Sequence, residues 1–401
     1  MMGTHPAETC QLEGRDPLLQ KGGGIMTLGT GPFEYSPQSV SPPGETLKET
    51  LEALGISQAD LARRTGLSTK HVNQIIQGVA ILSAETATLL ERATGTRAEI
   101  WNSLEARWRT QQQREQEDQV LQGQLSWLDN FPVRELVTRG VLTNGEKSVT
   151  NLRRLLEFFG VASPQIAEEL WDTYQLAFRR STAKKPNRYA TALWLRLCVR
   201  AAREQDCRPY RRDALVELIP TLRTLTLREP ATWFTELPAL CAEVGVAVVF
   251  ERSLTGAHIS GVTRWLTPDK VMIALSDRFK RIDHFWFAFF HEVAHVLHHG
   301  KRLTFLDEDP NKDPEQSTEE EEANQFAADV LIPPHLTSDY QMLRAHPKPF
   351  TRIEAFAARA GIAEGIVVGR LQRDHNQGNL GGLAFNEGHR YLARFNFLDY
   401  P

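Results

Sequence analysis

The chain has 401 residues, of which 41% are hydrophobic and 24% are charged, close to the values of ordinary globular proteins. This composition excludes a fibrous or wholly disordered chain, and the length indicates two to four domains at roughly 100–200 residues each. No apolar run approaches ~20 residues, and the N-terminus lacks a secretory pattern, so we expect neither membrane insertion nor export. Four scattered cysteines without a CxxC pair indicate a reducing, cytoplasmic location.

The net charge of −4 averages over two strong local charges of opposite sign. Between Arg179 and Arg228, thirteen Lys or Arg residues stand against four acidic ones, a surplus of +9. Between Asp307 and Glu322, nine acidic residues stand against one lysine, a surplus of −8. The basic stretch is compatible with a surface for a polyanion or with a solvated helical face carrying internal ion pairs.

Composition and periodicity divide the chain into five segments. Residues 1–44, rich in Gly, Pro, Ser and Thr, are predicted to be a disordered tail. Within it, Lys21-Gly-Gly-Gly matches the translation of a purine-rich ribosome-binding sequence, so we expect the natural start to be Met26. Residues 45–110 and 111–240 have helical patterns, residues 241–375 mix strands with helices, and residues 376–401 form a second tail.

The C-terminal part of the chain shows a change from helical to strand patterns. Two β-branched runs, Val244–Phe250 and Lys270–Ser276, are predicted strands. Asp277–Gly300 and Thr318–Leu331 return to a helical pattern.

The segment after Ser57 has the pattern of two short helices joined by a tight turn. Ser57 and Ser68 are each placed to cap a helix, and Gly66 permits the positive φ of the turn between them. Val72 and Ile75, together with the following isoleucine, form the buried face of the second helix.

The outward face of the second predicted helix carries short polar and amide side chains, the types that read base edges in the major groove. These candidate DNA contacts are Ser68, Thr69, Lys70, His71, Asn73, Gln74 and Gln77. The alternative is a helical hairpin without a DNA role. From Thr46 to Val79 the basic surplus is only +1, so a monomer would bind DNA weakly and we expect a homodimer on two half-sites.

Residues 42–109 resemble the XRE-type helix-turn-helix of HigA-like antitoxins and regulators. The resemblance runs from Pro42-Pro43-Gly44-Glu45 to Trp108. It implies a five-helix DNA-binding domain that recognises a double-stranded operator, usually as a dimer.

A second motif, His291-Glu292-Val-Ala-His295, follows a strongly apolar helical stretch. Histidines at i and i+4 share one helix face, so both can bind one ion, and Glu292 stands beside it as a general base. Zinc is the ion that such a helix holds for amide hydrolysis. The alternative is a surface or core helix that happens to carry two histidines.

A zinc site needs a third ligand, and the acidic helix that begins near Thr318 offers one. Phe326, Ala327 and Val330 mark its buried face, so we expect Glu322 to point inward as the third ligand. Glu319 shares the face of Glu322, and Glu320 and Glu321 are expected to face solvent. His299, at the end of the motif helix, is expected to be a helix C-terminal residue and not a ligand.

Residues 240–375 resemble the ImmA/IrrE family of metallopeptidases. The resemblance rests on the HExxH helix, on Glu322-Ala-Asn-Gln-Phe-Ala and on the Leu-Ile-Pro that follows. It implies a zincin-like domain with His291, His295 and Glu322 as zinc ligands, Glu292 as base and Asn324 beside the ligands.

Together the two motifs predict an α+β, mostly helical protein. It has an N-terminal all-α helix-turn-helix domain, a helical middle, and a C-terminal zincin-like domain with a small sheet. The predicted function is a DNA-binding transcriptional regulator whose zinc endopeptidase cleaves a protein, with a repressor as one candidate, in a stress or regulatory response. The alternative is a HigA-like antitoxin, with a toxin as partner, whose zinc domain is sensory or inactive.

Overall fold

The computed structural model describes residues 40–178, 187–278, 280–299, 315–347 and 349–377, together with Arg394 and Phe397. The chain forms two compact units, the first ending at Glu115 and the second starting at Gln116. Nearly all of the predicted N-terminal tail, including Met26, lies outside the described residues, as does most of the C-terminal tail.

The first unit contains the helices predicted for the N-terminal domain. They are α1 (Pro43–Leu54), α2 (Gln58–Thr65), α3 (Thr69–Ile76), α4 (Ala84–Thr94) and α5 (Ala98–Gln122), and the boundary between the units falls within α5. As predicted, Ser57 caps α2 by accepting a hydrogen bond from the Asp60 amide, and Gly66 ends it with a φ of 76°.

The core of the first unit is small and aliphatic around one tryptophan. Leu47, Leu61, Ile75, Leu90 and Trp101 are each at most 1% exposed, and they come from all five helices. The predicted all-α N-terminal domain is therefore confirmed.

The second unit is a helical body around one small sheet. Its helices are α6 (Val133–Thr138), α7 (Val149–Phe159), α8 (Pro164–Phe178), α9 (Arg188–Glu204), α10 (Arg212–Thr224), α11 (Pro230–Ala242), α12 (Ile282–His298), α13 (Glu315–Leu331), α14 (Thr337–Ala345), α15 (Thr351–Ala360) and α16 (Glu364–Gln377). Its strands are β1 (Val246–Phe250), β2 (Gly261–Thr267) and β3 (Lys270–Leu275).

The sheet has the order β1-β3-β2, with β1 parallel and β2 antiparallel to the central strand. The two predicted strand runs appear as β1 and β3. The additional strand β2 mixes polar and apolar residues, and a tight connection joins it to β3. Its pairing with β3 shifts register between Trp265 and Thr267.

Each face of the sheet is covered by a different group of helices, because side chains alternate along a strand. Ala247, Val249 and Met272 pack against a cluster that includes residues of α7, α8 and α9. Val248 and Ile273, on the other face, pack against α10 to α16. The segments 111–240 and 241–375, which the sequence separates, thus share one compact unit, since the middle helices cover a sheet face that would otherwise be exposed.

The basic stretch contributes several of its arginines to contacts within the protein. Arg208 pairs with Glu243, Arg212 donates to the carbonyl of Leu297, and the Arg223 guanidinium donates to the carbonyl of Ala360. The four basic residues of this stretch between 179 and 186 lie outside the described part of the chain. For Arg208, Arg212 and Arg223, these contacts support the interpretation of the basic stretch as a solvated helical face with internal ion pairs.

None of the helices in the described residues combines the length and the apolar character needed to cross a lipid bilayer.

Candidate metal centre and DNA-binding helix

The candidate metal centre lies on α12, a helix whose apolar residues are packed in the core. Its first turns carry Phe285, Trp286, Phe289 and Phe290, each at most 3% exposed, and these aromatic residues anchor the helix in the core. The helix packs against both β2 and β3. The histidines of the motif therefore project from a support whose position is fixed by packing on the sheet.

His291 and His295 point at a common position, as their spacing predicts. Their Nε2 atoms lie 3.0 Å apart. The carboxylate of Glu320, from α13, approaches both: Oε2 is 3.3 Å from Nε2 of His291, and Oε1 is 3.5 Å from Nε2 of His295. Among the described residues, these three side chains form the group of His, Cys, Asp and Glu that could hold a metal ion.

The structure thus places Glu320 with the two histidines, where the sequence had pointed to Glu322. Ala323 and Ala327 are fully buried, and Glu320 lies three residues before Ala323, on the same side of α13. Of the three residues expected to mark that face, Ala327 is buried, whereas Phe326 and Val330 are only partly buried. The side chain of Glu322 is 61% exposed, and it lies 3.3 Å from Nε2 of His299.

The three side chains fit a zinc ion. Tetrahedral zinc with nitrogen and oxygen ligands at about 2.0–2.1 Å holds its ligand atoms about 3.3 Å from one another. The separations between the two Nε2 atoms and the Glu320 oxygens, 3.0, 3.3 and 3.5 Å, are close to that value. Two imidazoles and one carboxylate are also the donor set of catalytic zinc sites, in which a fourth position stays open.

Glu292 is buried next to these groups and is held by β2. The Thr263 hydroxyl lies 2.7 Å from its Oε2, and Gly261 makes room for it: a Cβ at position 261 would stand 2.8 Å from Oε1 and 2.9 Å from Cγ. Burial raises the pKa of Glu292 to about 7, against the opposing effects of His291 and Thr263. A carboxyl group with a pKa near neutrality can both accept and release a proton.

The pKa values of the two histidines shift in opposite directions. Burial lowers the pKa of His295 to about 4, and the neighbouring His291 acts in the same direction. Burial also lowers the pKa of His291, but the hydrogen bond to Glu320 and the charges of Glu292 and Glu320 outweigh it, so the net shift is upward.

The outer nitrogens of both histidines are also occupied. Nδ1 of His291 lies 3.2 Å from Oδ1 of Asn324, the residue expected beside the ligands. Nδ1 of His295 lies 2.8 Å from Nδ1 of His299, which follows the end of α12 and has a side chain that is 4% exposed. This last contact is not predicted by the motif, because His299 lies outside the HExxH spacing.

In the first unit, the candidate DNA contacts lie on and just before or after α3. Ser68 is the N-cap of this helix, accepting from the His71 amide at 3.1 Å. Val72 and Ile75 are buried, as predicted. The candidates Ser68, Thr69, Lys70, Asn73 and Gln77 are exposed, and His71 and Gln74 are partly buried.

The close approach of α1 to α3 keeps that face turned outward. Gly44 lies so close to the end of α3 that a Cβ there would stand 2.3 Å from the carbonyl oxygen of Ile76. Arg109 of α5 donates to the carbonyl of Ala80 at 3.3 Å and so ties down the loop after α3. The exposed polar face is therefore the side of α3 that the other described helices of this unit, α1, α2, α4 and α5, leave uncovered.

Comparison with known families gives two matches to the chain. The model of the helix-turn-helix family matches residues 47–101, and the peptidase family model described as the IrrE N-terminal-like domain matches residues 241–372. A search of curated proteins found no match.

Among solved structures, one similar chain is an addiction module antidote protein of a HigA family from Coxiella burnetii, at 27% identity. The match covers 21% of this chain and 92% of that chain, with a TM-score of 0.20.

The helix-turn-helix match implies DNA binding, and the second match contains α12 with both histidines, together with Glu320. The chain thus joins an XRE-type helix-turn-helix segment to a segment of the IrrE/ImmA-like metallopeptidase family.

Proposed function

We propose that the protein is a DNA-binding transcriptional regulator whose C-terminal unit is a zinc-dependent endopeptidase. The observation that carries this proposal is the grouping of His291, His295 and Glu320, whose ligand atoms lie within 4.8 Å of one another, with the buried carboxyl of Glu292 beside them. The proposed ligand set differs from the one expected from sequence in its third member.

A zinc ion held by these three side chains would polarise a peptide carbonyl and acidify a water molecule. Glu292 is positioned to accept the proton of the attacking water and to deliver it to the amine that leaves. The contact with Thr263 fixes one carboxyl oxygen of Glu292, so the other is left for proton transfer. Burial of Glu292, which is 7% exposed, limits the access of bulk water to this carboxyl.

The substrate class we propose is a protein, with a repressor as the first candidate, because the peptidase segment shares its chain with a DNA-binding segment. Regulation would then follow from cleavage in response to stress or another signal. We place the protein in the cytoplasm, where operator DNA is found and where Cys198, Cys207 and Cys241 would stay reduced.

The direct test combines metal analysis with a comparison of cellular proteins. Purified wild-type protein and the Glu292→Gln variant should each contain one zinc ion, since Glu292 is not a proposed ligand. Proteomics of cells expressing either form should reveal a protein that is cut only by the wild type. Glu321→Gln, an exposed carboxylate on α13, is the matched control and should cleave normally.

Cleavage by Glu292→Gln would refute the role of this residue as base. Zinc binding without any cleaved protein under inducing and non-inducing conditions would favour the alternative, a sensory domain that does not turn over.

For the first unit, we propose that α3 enters the major groove of operator DNA and that a homodimer occupies two half-sites. The exposed Lys70 and Asn73 lie on the uncovered face of α3 and supply a phosphate contact and a base contact. The test uses genomic DNA fragments recovered with the full-length protein. Lys70→Ala should weaken binding to all fragments and lower the salt slope by about 1, and Asn73→Ala should relax sequence preference.

Lys147→Ala, which removes the same charge from the second unit, is the control for the DNA experiment and should bind as the wild type does. Unchanged affinity and preference in both α3 variants would contradict the proposed docking of this helix.

A further inference from the structure

The ring nitrogens that face away from the metal centre form a chain of contacts. Nδ1 of His295 lies 2.8 Å from Nδ1 of His299, and Nε2 of His299 lies 3.3 Å from Oε2 of Glu322. This series of contacts leads from the buried part of the site to the surface: the side chain of His299 is 4% exposed, and that of Glu322 is 61% exposed.

The chemistry of the three groups determines which atom donates and which accepts in each of these hydrogen bonds. A carboxylate only accepts hydrogen bonds, so Glu322 requires the proton of His299 to be on Nε2. A neutral His299 then presents a bare Nδ1, which accepts from Nδ1–H of His295. With its proton fixed on Nδ1, His295 keeps a lone pair on Nε2, the atom that faces His291 and Glu320.

We propose that His299 and Glu322 are positioning residues that fix the tautomer and the ring orientation of the ligand His295. This inference rests on the proposed metal centre and adds two residues to it. It assigns to His299 the role of outer partner of His295, as Asn324 is the outer partner of His291 through a single contact at 3.2 Å. Outer partners of this kind orient ligating histidines and raise their basicity.

The inference also gives Glu322 a function that differs from the one expected from its motif. As a ligand, Glu322 would have to reach the two Nε2 atoms that Glu320 contacts. As the end of the chain of hydrogen bonds, it acts through His299 from the protein surface. The two roles predict different metal chemistry, so one set of variants separates them.

The experiment measures zinc affinity of the full-length protein by competition with a chromophoric chelator, and it records the visible spectrum after cobalt(II) substitution. His299→Leu removes the acceptor and should weaken zinc binding about 10–100-fold. Glu322→Ala should weaken it in the same direction and leave the cobalt spectrum of the wild type, because the ligand set is intact. Glu320→Ala should change that spectrum.

Two further variants make the comparison specific. Glu321→Ala removes the same charge from an exposed neighbour on α13, and it should leave zinc affinity unchanged. In the double variant His299→Leu/Glu322→Ala, zinc affinity should equal that of His299→Leu alone, since Glu322 acts only through His299. The effect of Glu322→Ala can be measured even if the buried substitution His299→Leu weakens the fold, because Glu322 is exposed.

Three results would overturn the proposal. They are unchanged zinc affinity in His299→Leu, loss of the cobalt spectrum in Glu322→Ala, or full additivity in the double variant. Failure of the wild-type protein to bind zinc or cobalt would instead overturn the proposed metal centre itself, and the positioning role with it.

Discussion

Replacing Glu292 by glutamine should change how the stability of the metal-free protein depends on pH. Burial raises the pKa of this carboxyl from 4.5 to about 7. Between these values the folded protein holds a proton that the unfolded chain has released, so folding becomes less favourable as pH rises. The contribution is fully present below pH 4.5, and it is lost as pH rises through about 7.

The magnitude follows from the width of that interval. Each pH unit contributes about 1.4 kcal/mol, so the full interval corresponds to about 3 kcal/mol of the free energy of unfolding. The glutamine variant has no proton to lose. Relative to the wild type, Glu292→Gln should therefore gain about 3 kcal/mol of stability between pH 4.5 and a pH above 7.

The assay is chemical denaturation of chelator-treated protein at a series of pH values, followed by tryptophan fluorescence. The second unit contains Trp127, Trp171, Trp194, Trp233, Trp265 and Trp286, so its unfolding dominates the signal. The quantity of interest is the difference between variant and wild type, because titration of other groups contributes to both curves. Glu321→Gln, which makes the same substitution at an exposed position on α13, is the control.

A difference between Glu292→Gln and the wild type that does not vary with pH would refute the reasoning. It would mean that the carboxyl titrates alike in the folded and unfolded chains, and hence that it is not held in a desolvated position beside the proposed ligands.

Three glycine and asparagine positions give further predictions. Gly261→Ala should displace Glu292, lowering the peptidase rate about 100-fold while the zinc content measured by metal analysis stays at one ion. Asn151→Ala should cost about 3 kcal/mol in denaturation, because this fully buried amide holds the turn before α7 through several hydrogen bonds. Gly44→Ala should lower the stability of the first unit by about 1–3 kcal/mol, since the new Cβ meets the backbone of Ile76. Unchanged values in these assays would contradict the corresponding contacts.

Much of this organisation is encoded locally and is visible in the sequence. The caps at Ser57 and Ser68, the turn at Gly66 and the buried face of α3 depend on residues within a few positions of one another. The same holds for His291 and His295, which face the same way because they are one helical turn apart.

What depends on packing between distant segments was decided only in the tertiary structure. The middle helices join the C-terminal sheet in one core, because the face formed by Ala247 and Val249 needs a cover that only they supply. The choice of Glu320 over its neighbours is of the same kind. Adjacent glutamates on a helix differ by 100° in direction, and only the contact of α13 with α12 determines which one reaches the histidines.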